Sequence, residues 1–277
     1  MKTLQCGRFR LSLDRPLVMG IVNLTPDSFS GDGLAGDADR AIAHARAQWQ
    51  AGADLLDLGA ESSRPGAIPT PEDEELRRLL PVLEELRSWS VPLSVDTYKP
   101  AVMRAALVAG ADLINDINGL RAPGALDAVA ASDCGICLMH MQGQPLTMQQ
   151  QPDYDDVVAE VGDFLCQQLV ACRAAGIADE RLLLDPGFGF GKMLDHNLAL
   201  FRELPRLERE SGVPLLVGVS RKSMLGQITG RPTEDRLAAS LAAAVLAAQK
   251  GAGIIRVHDV AATCDALKVW QAIDKGE

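Results

Sequence analysis

The sequence predicts a single α/β domain over residues 1–277, a closed (β/α)8 barrel. Three observations predict it. Eight short runs rich in Leu, Val and Ile recur along the chain, each apolar at its start and polar or glycine-rich at its end, as strands buried on both faces are. Helical patterns fall between these runs, and strand–helix alternation implies a parallel sheet. The length of 277 residues suits a closed barrel, which typically needs about 250. A doubly wound open sheet is the second choice, but it more usually has fewer strands.

In chain order, LVMGIVN (17–23) is the first strand; it ends in Asn23 and runs into a polar loop bearing Thr25, Asp27 and Ser28. ADLLDLGA (53–60) is the second, followed by Glu61, Ser62, Ser63 and Arg64. TPEDEELRRLLPVLEELRSW (70–89) reads as a helix with a Thr cap, a proline and acidic residues in its first turn, and Pro81 placed to kink it. PLSVDT (92–97) brings Asp96, and KPAVMRAALVAG (99–110) is a helix stopped by glycine. ADLINDING (111–119) carries Asn115, and GICLMHM (135–141) ends near His140. The polar insertion 141–156 reads as a loop over the barrel mouth, and 155–176 as a long helix ending on glycine. RLLLDPG (181–187) brings Asp185, and PLLVGVS (214–220) brings Ser220, then Arg221 and Lys222. The alanine-rich stretch 233–251 is a helix packed between the sheet and another surface. GIIRVHD (253–259) brings Arg256, His258 and Asp259. The tetrapeptide AGAD stands at 51–54 and again at 109–112, an echo of repeated βα units.

A net charge of −10 argues against non-specific nucleic-acid binding and against an anionic membrane surface. No apolar run reaches the roughly 18 residues of a membrane span, and the N-terminus lacks the apolar core of a signal peptide. Six cysteines in a chain of this length read as reduced thiols of a cytoplasmic protein. Cys134 and Cys137 form a CxxC, but it lies in an apolar strand with no second pair or His pair to complete a zinc site.

In a barrel of this kind the C-terminal strand ends form the active face, so the polar endings would gather around one cavity. Arg64, Arg221, Lys222, Arg256 and His258 are candidate anion binders in an otherwise acidic chain. Asp96, Asn115 and Asp185 suit the alternating donor–acceptor edge of a flat heterocycle. Taken singly, Asp96 or Asp185 could cap the next helix and Lys222 or Arg256 could be a rim charge; the coincidence over nearly every strand end carries the reading. His44 and His196 fall in helices and take packing or surface roles. DPGFGFGK (185–192) fails the phosphate-loop pattern because Met193 follows the lysine. It reads as a tight turn bringing Phe188 or Phe190 to a flat ligand. No nucleophile–base pair stands out.

The segments NLTPDSFS (23–30), ESSRPGA (61–67), SVDTYKP (94–100), INDING (114–119), LMHMQG (138–143), LDPGFGFGK (184–192), GVSRKSM (218–224) and IIRVHDV (254–260), in this order, resemble the dihydropteroate synthase family. The resemblance implies a pterin-binding TIM barrel and a transferase of folate biosynthesis. It implies condensation of 6-hydroxymethyl-7,8-dihydropterin diphosphate with 4-aminobenzoate, giving 7,8-dihydropteroate and diphosphate with Mg2+ present. It implies that Asn23 contacts the metal, that Ser63 and Arg64 with Arg256 and His258 hold the diphosphate, and that Asp96, Asn115, Asp185 and Lys222 bind the pterin. Thr25, Asp27, Ser28, Phe190, Arg221 and Ser223 would shape the aminobenzoate and loop region. A homodimer and sulfonamide binding are further expectations of the resemblance. The family commonly has Thr where this chain has Ser63, which keeps the hydroxyl and removes a methyl. A pterin-binding methyl-transfer barrel and a non-catalytic paralogue are the alternatives. The first would not need the SRK (220–222) and R-x-H (256–258) anion site or the N-x-T-P-D-S-F loop, the second would be signalled by loss of Asn23, Arg64, Lys222 or Arg256, and none of these is missing; before the resemblance, a (β/α)8 enzyme acting on some other phosphate ester is the reading.

Overall fold

The computed structural model describes residues 2–24, 38–64 and 66–275. The chain opens with an antiparallel hairpin, β1 (Thr3–Cys6) and β2 (Phe9–Ser12). Parallel strands follow: β3 (Leu17–Asn23), β4 (Leu55–Gly59), β5 (Leu93–Asp96), β6 (Leu113–Asp116), β7 (Gly135–Met139), β8 (Leu182–Asp185), β9 (Leu216–Val217) and β10 (Ile254–Val257). They are ordered β8-β7-β6-β5-β4-β3-β10-β9. A parallel bridge between Leu184 and Leu215, with the Leu184 N–H donating to the Pro214 carbonyl at 3.0 Å, joins β8 to the start of β9. The ring therefore closes as the eight runs predict. Helices α1 (Ala38–Gln50), α2 (Glu72–Leu86), α3 (Pro100–Ala109), α4 (Ala125–Ala130), α5 (Val157–Ala174), α6 (Leu194–Arg202), α7 (Leu204–Ser211), α8 (Ser223–Thr229), α9 (Leu237–Gln249) and α10 (Val260–Lys275) pack outside it.

Alternate residues along each strand point inward, and this places the site. Leu17, Met19, Leu55, Leu113, Leu183, Leu216 and Ile254 fill the interior at the N-terminal end. Two residues further on stand Asp57, Asn115, Asp185 and Arg256. The same inward-facing rows thus change from aliphatic to polar midway up the barrel.

The N-terminal hairpin is an element that the sequence reading does not contain. Leu4 and Cys6 of β1 join the lower interior cluster and cover that end of the barrel. Its turn needs glycine: Gly7 has φ +51°, and a Cβ there would stand 2.8 Å from the Asp112 Cα. Arg8 fastens the hairpin, its Nη2 lying 2.8 Å from Asp112 Oδ2. The signal was present in the alternation of TLQC and RFRLS around one glycine.

Helix ends follow their sequence signals with two exceptions, one of them the stretch 233–251, where a short turn at Thr233–Asp235 comes first and α9 starts at Leu237. Gly110 is left-handed at φ +110° after α3, and Asp156 caps α5 by accepting from the Val158 and Ala159 N–H groups. Thr70 does not cap α2; Pro71 holds that position with no side-chain bond. The Thr70 backbone is engaged elsewhere, its N–H donating to Glu61 and its carbonyl accepting from Lys99. α2 continues through Pro81.

Candidate active site at the C-terminal mouth of the barrel

A cavity of about 850 Å³ opens where the strands end. Asn23, Ser63, Arg64, Asp96, Phe190, Arg221, Lys222, Ser223, Arg256 and His258 line it, so ten of the expected residues meet at one place. Asn115 and Asp185 lie buried on neighbouring strands. Thr25, Asp27 and Ser28 fall outside the described residues.

The floor is an ion-pair network. Arg256 Nε lies 2.6 Å from Asp57 Oδ2 and its Nη2 lies 2.9 Å from Asp96 Oδ2. Burial alone would lower the guanidinium's proton affinity, but Asp57 and Asp96 outweigh it and hold the affinity above the ordinary arginine value. Ser94 Oγ donates to Asp57 Oδ1 at 2.5 Å, and Asn115 Nδ2 to Asp57 Oδ2 at 3.4 Å. Burial pushes the Asp96 carboxyl up, partly offset by Arg256. Asp57 is fully buried and was absent from the expected set. Its signal was an acid in the middle of the apolar run LLDLGA (55–60).

Asn115 Oδ1 is buried and has no hydrogen-bond partner among the described residues. An unpaired buried acceptor costs about 1–3 kcal/mol, and this one stands unsatisfied at the end of β6. Burial also raises the Asp185 carboxyl, with Lys222 opposing, while one of its oxygens accepts from the Gly187 N–H at 2.7 Å. Lys222 is pulled down to about 8 by burial, against the pull of Asp185. Its Nζ donates to the Phe188 carbonyl at 2.5 Å and lies 4.7 Å from the centre of the Phe190 ring. The glycine turn is as tight as expected, with positive φ at Gly187, Gly189 and Gly191. It divides the two phenylalanines: Phe188 packs into the core beside Phe201, and Phe190 faces the cavity.

The mouth carries the cations. Arg221 has φ +58° and its guanidinium is held by Asp259, at 2.9 and 2.5 Å. His258 Nδ1 sits 3.1 Å from Ser220 Oγ, and burial followed by the charges of Arg256 and Arg221 lowers the imidazole to about 3. Ser63 and Arg64 stand on the loop after β4. That loop is tied down from Glu61, which accepts from Tyr98 Oη at 2.8 Å, from the Thr70 N–H at 3.1 Å and from Lys99 Nζ. Lys99 also pairs with the buried Glu75 at 2.5 Å. The 141–156 loop lies over the mouth as expected: Met148 lines the cavity and the Gly66 N–H donates to the Pro145 carbonyl.

No group of three or more His, Cys, Asp or Glu able to hold a metal occurs among the described residues. The side-chain oxygen of Asn23 lies near Asp96 at the end of β3, both within about 4 Å of the point where a Gly59 Cβ would sit. The Asn23 amide oxygen and the Asp96 carboxylate are oxygen donors of the class that Mg2+ takes, and Mg2+ dehydrates reluctantly and keeps several waters, so few protein donors are required of such a site.

The other sequence readings sit as follows. His44 in α1 lies 3.3 Å from the Ile21 carbonyl, and His196 in α6 accepts from the Met193 N–H. All six cysteines are free, with Cys134 and Cys137 buried at β7. No described helix is long and apolar enough to cross a membrane.

Residues 19–258 match the sequence profile of the family described as pterin binding enzyme. A Neisseria meningitidis serogroup B protein named dihydropteroate synthase is 52% identical over 275 residues, covering 97% of this chain and 96% of its own length. The structure resembles Burkholderia cenocepacia dihydropteroate synthase complexed with 7,8-dihydropteroate, with TM-score 0.91, 56% identity and coverage of 99% of this chain and 97% of that one. It also resembles Yersinia pestis dihydropteroate synthase in a sulfonamide drug complex, with TM-score 0.94, 50% identity and 99% of each chain covered.

Proposed function

From the premise that the chain belongs to the dihydropteroate synthase family, we propose how its own residues carry that family's reaction. The protein joins 4-aminobenzoate to the CH2 of 6-hydroxymethyl-7,8-dihydropterin diphosphate, giving 7,8-dihydropteroate and diphosphate. One observation supports the division of labour best: Asp96, Asn115 and Asp185 stand at the ends of interior strands with Lys222 beside them, whereas Arg64, Arg221 and His258 line the mouth. Asp96, Asp185 and the unpartnered Asn115 Oδ1 accept from the amino and ring N–H groups of the pterin, and Lys222 donates to its acceptor edge. Ligand N–H groups stabilise the ionised form of carboxyls that burial has raised.

The diphosphate then lies toward the mouth. Arg64 and Arg256 balance the negative charge that grows as the C–O bond breaks, and Ser63 and the neutral His258 offer hydrogen bonds to the same oxygens. Arg256 works from the floor, where Asp57 and Asp96 hold it in place, and so reaches the diphosphate end nearest the pterin. Asn23 would hold Mg2+, which would supply further charge stabilisation of the leaving group. The arylamine attacks with its own lone pair, which accounts for the missing nucleophile–base pair. Phe190, Ser223 and Arg221 border the aminobenzoate position, and a sulfonamide occupies that same position.

The unpaired thiols support a cytoplasmic location. Exposed Ile228, Leu246, Val269 and Ile273 on α8, α9 and α10 support a homodimer through the late helices, which sedimentation velocity tests.

The decisive assay is diphosphate release from the pterin diphosphate and Mg2+, with and without 4-aminobenzoate. Release that requires 4-aminobenzoate and yields dihydropteroate is the expected result. Tight pterin binding with no release under any condition would overturn the reading and favour a methyl-transfer or non-catalytic barrel.

A further inference from the structure

Beneath the turn Gly187–Gly191 lies a buried ammonium group whose role the reaction does not explain. Lys192 is 3% exposed, and none of its ion pairs reaches a carboxylate among the described residues. Its Nζ donates to the carbonyls of Gly187 and Phe190, both at 3.0 Å, and lies 2.9 Å from His140 Nδ1. A lysine ammonium only donates, so His140 Nδ1 is the acceptor and its proton sits on Nε2. The imidazole is held below the usual range, at about 3, by burial first and then by the Lys192 charge. Burial also draws Lys192 itself down to about 7.

Removing a lysine charge from water to bond directly only with carbonyls and a neutral ring is expensive, and the attraction of the more distant Asp185 offsets only part of the cost. The return is the geometry of the turn. Every carbonyl from Gly187 to Gly191 accepts from a side chain: Lys192 takes the first and fourth, Lys222 the second, Gln149 the third and Tyr154 the fifth. Two of these donors, Gln149 and Tyr154, come from the loop after β7. The backbone cannot move aside, since a Cβ at Gly187 would lie 1.9 Å from the His140 carbonyl oxygen. Between the two carbonyls held by Lys192 the chain turns Phe188 into the core and Phe190 into the cavity.

We infer that Lys192, seated on His140, is a positioning residue that aims the Phe190 ring at the arylamine side of the cavity through the Gly187 and Phe190 carbonyls. The inference rests on the reading that Phe190 borders the 4-aminobenzoate position. It adds that the arylamine subsite is set from behind, by a residue that touches neither substrate.

The test uses the full chain with Lys192→Met, which keeps length and loses every donor. KM for 4-aminobenzoate is expected to rise about tenfold, the scale on which small misplacements act, while KM for the pterin diphosphate changes less than about threefold. A melting temperature that falls with both KM values and kcat unchanged would make Lys192 merely structural and overturn the inference, as would an equal rise in both KM values. His140→Leu guards against failure of Lys192→Met to fold. It keeps Lys192, removes the ring acceptor that seats it, and is expected to raise the aminobenzoate KM alone; no change there would also overturn the inference. Wild-type protein assayed alongside separates the two readings. If wild type makes no dihydropteroate, the proposed function fails; if it does and the variants match it, only the role of Lys192 fails.

Discussion

Arg256 and Asp57, 199 residues apart in the chain, meet on the cavity floor with Nε 2.6 Å from Oδ2. The pair is shielded, since Asp57 is fully buried and Arg256 is shared with Asp96. Asp57 touches no solvent, so it acts by holding Arg256 and, through a longer bond, Asn115. Asp57→Asn keeps the shape and removes the charge. The loss of one partner from a buried pair costs about 3 kcal/mol or more. Displacement of Arg256 should lower kcat/KM about 100-fold, the effect of a roughly 1 Å misplacement. Aminobenzoate-dependent diphosphate release measures it, and wild-type kcat/KM in the variant would contradict the assignment.

Asn115 should show stability and function in opposition. Its Oδ1 is buried without a partner, so Asn115→Leu removes an unsatisfied acceptor while keeping bulk. The melting temperature is expected to hold or rise, whereas pterin affinity measured by calorimetry falls about tenfold or more, the loss of one hydrogen bond in a dry site. A fall in both would mean that the side chain serves the fold.

Lys222 gives the pH dependence. Its folded value of about 8 lies below the ordinary 10.5 because of burial. Between those values the unfolded chain holds more protons, so this group's contribution to stability rises with pH through that window. Binding runs the other way. Above about pH 8 the ammonium loses its proton and its attraction to Asp185, and KM for the pterin diphosphate should climb by up to about tenfold per pH unit. Lys222→Met should have a high KM with no such climb. A wild-type KM flat to pH 10 would remove Lys222 from the pterin site.

The loop carrying Ser63 and Arg64 depends on a cation behind it. Lys99 joins Glu61 to the buried Glu75 and also donates to the Thr70 carbonyl at 2.7 Å. Lys99→Met leaves Glu75 buried without its partner, which should destabilise the protein by about 3–5 kcal/mol in urea denaturation. A loss under 1 kcal/mol would show that the network is weakly coupled to folding.

Ser63 is where the chain departs from the common family pattern, and it lines the cavity. Ser63→Thr restores one methyl, worth about 0.8 kcal/mol when fully buried. Half-burial against the aminobenzoate ring should therefore lower its KM about twofold and leave the pterin KM unchanged. An increase in the aminobenzoate KM would mean that the methyl collides with the substrate.

The amino-acid sequence by itself determined the eight-strand barrel and the polar strand ends, because these depend on local periodicity, and its ordered motifs carried the family resemblance. An apolar run that ends in Asp, Asn or His carries its meaning within seven or eight residues, and Asp96, Asn115, Asp185 and His258 were legible for that reason. The hairpin over the lower end was legible in principle from TLQC-G-RFRLS, but four-residue strands give a weak pattern. Only the tertiary structure decided what the polar residues do to one another. Asp57 looks like an anomaly in a strand until barrel closure brings β10 beside β3 and places Arg256 within 2.6 Å of it. Lys192 looks like the end of a failed phosphate loop until His140, 52 residues earlier, comes beneath it. Pairings across such separations follow from strand order and inward register, which no window of sequence contains. Burial then supplies the energetics: the same carboxylates and lysines in water would have ordinary proton affinities, and enclosure in the barrel raises Asp96 and Asp185 and lowers Lys192 and Lys222.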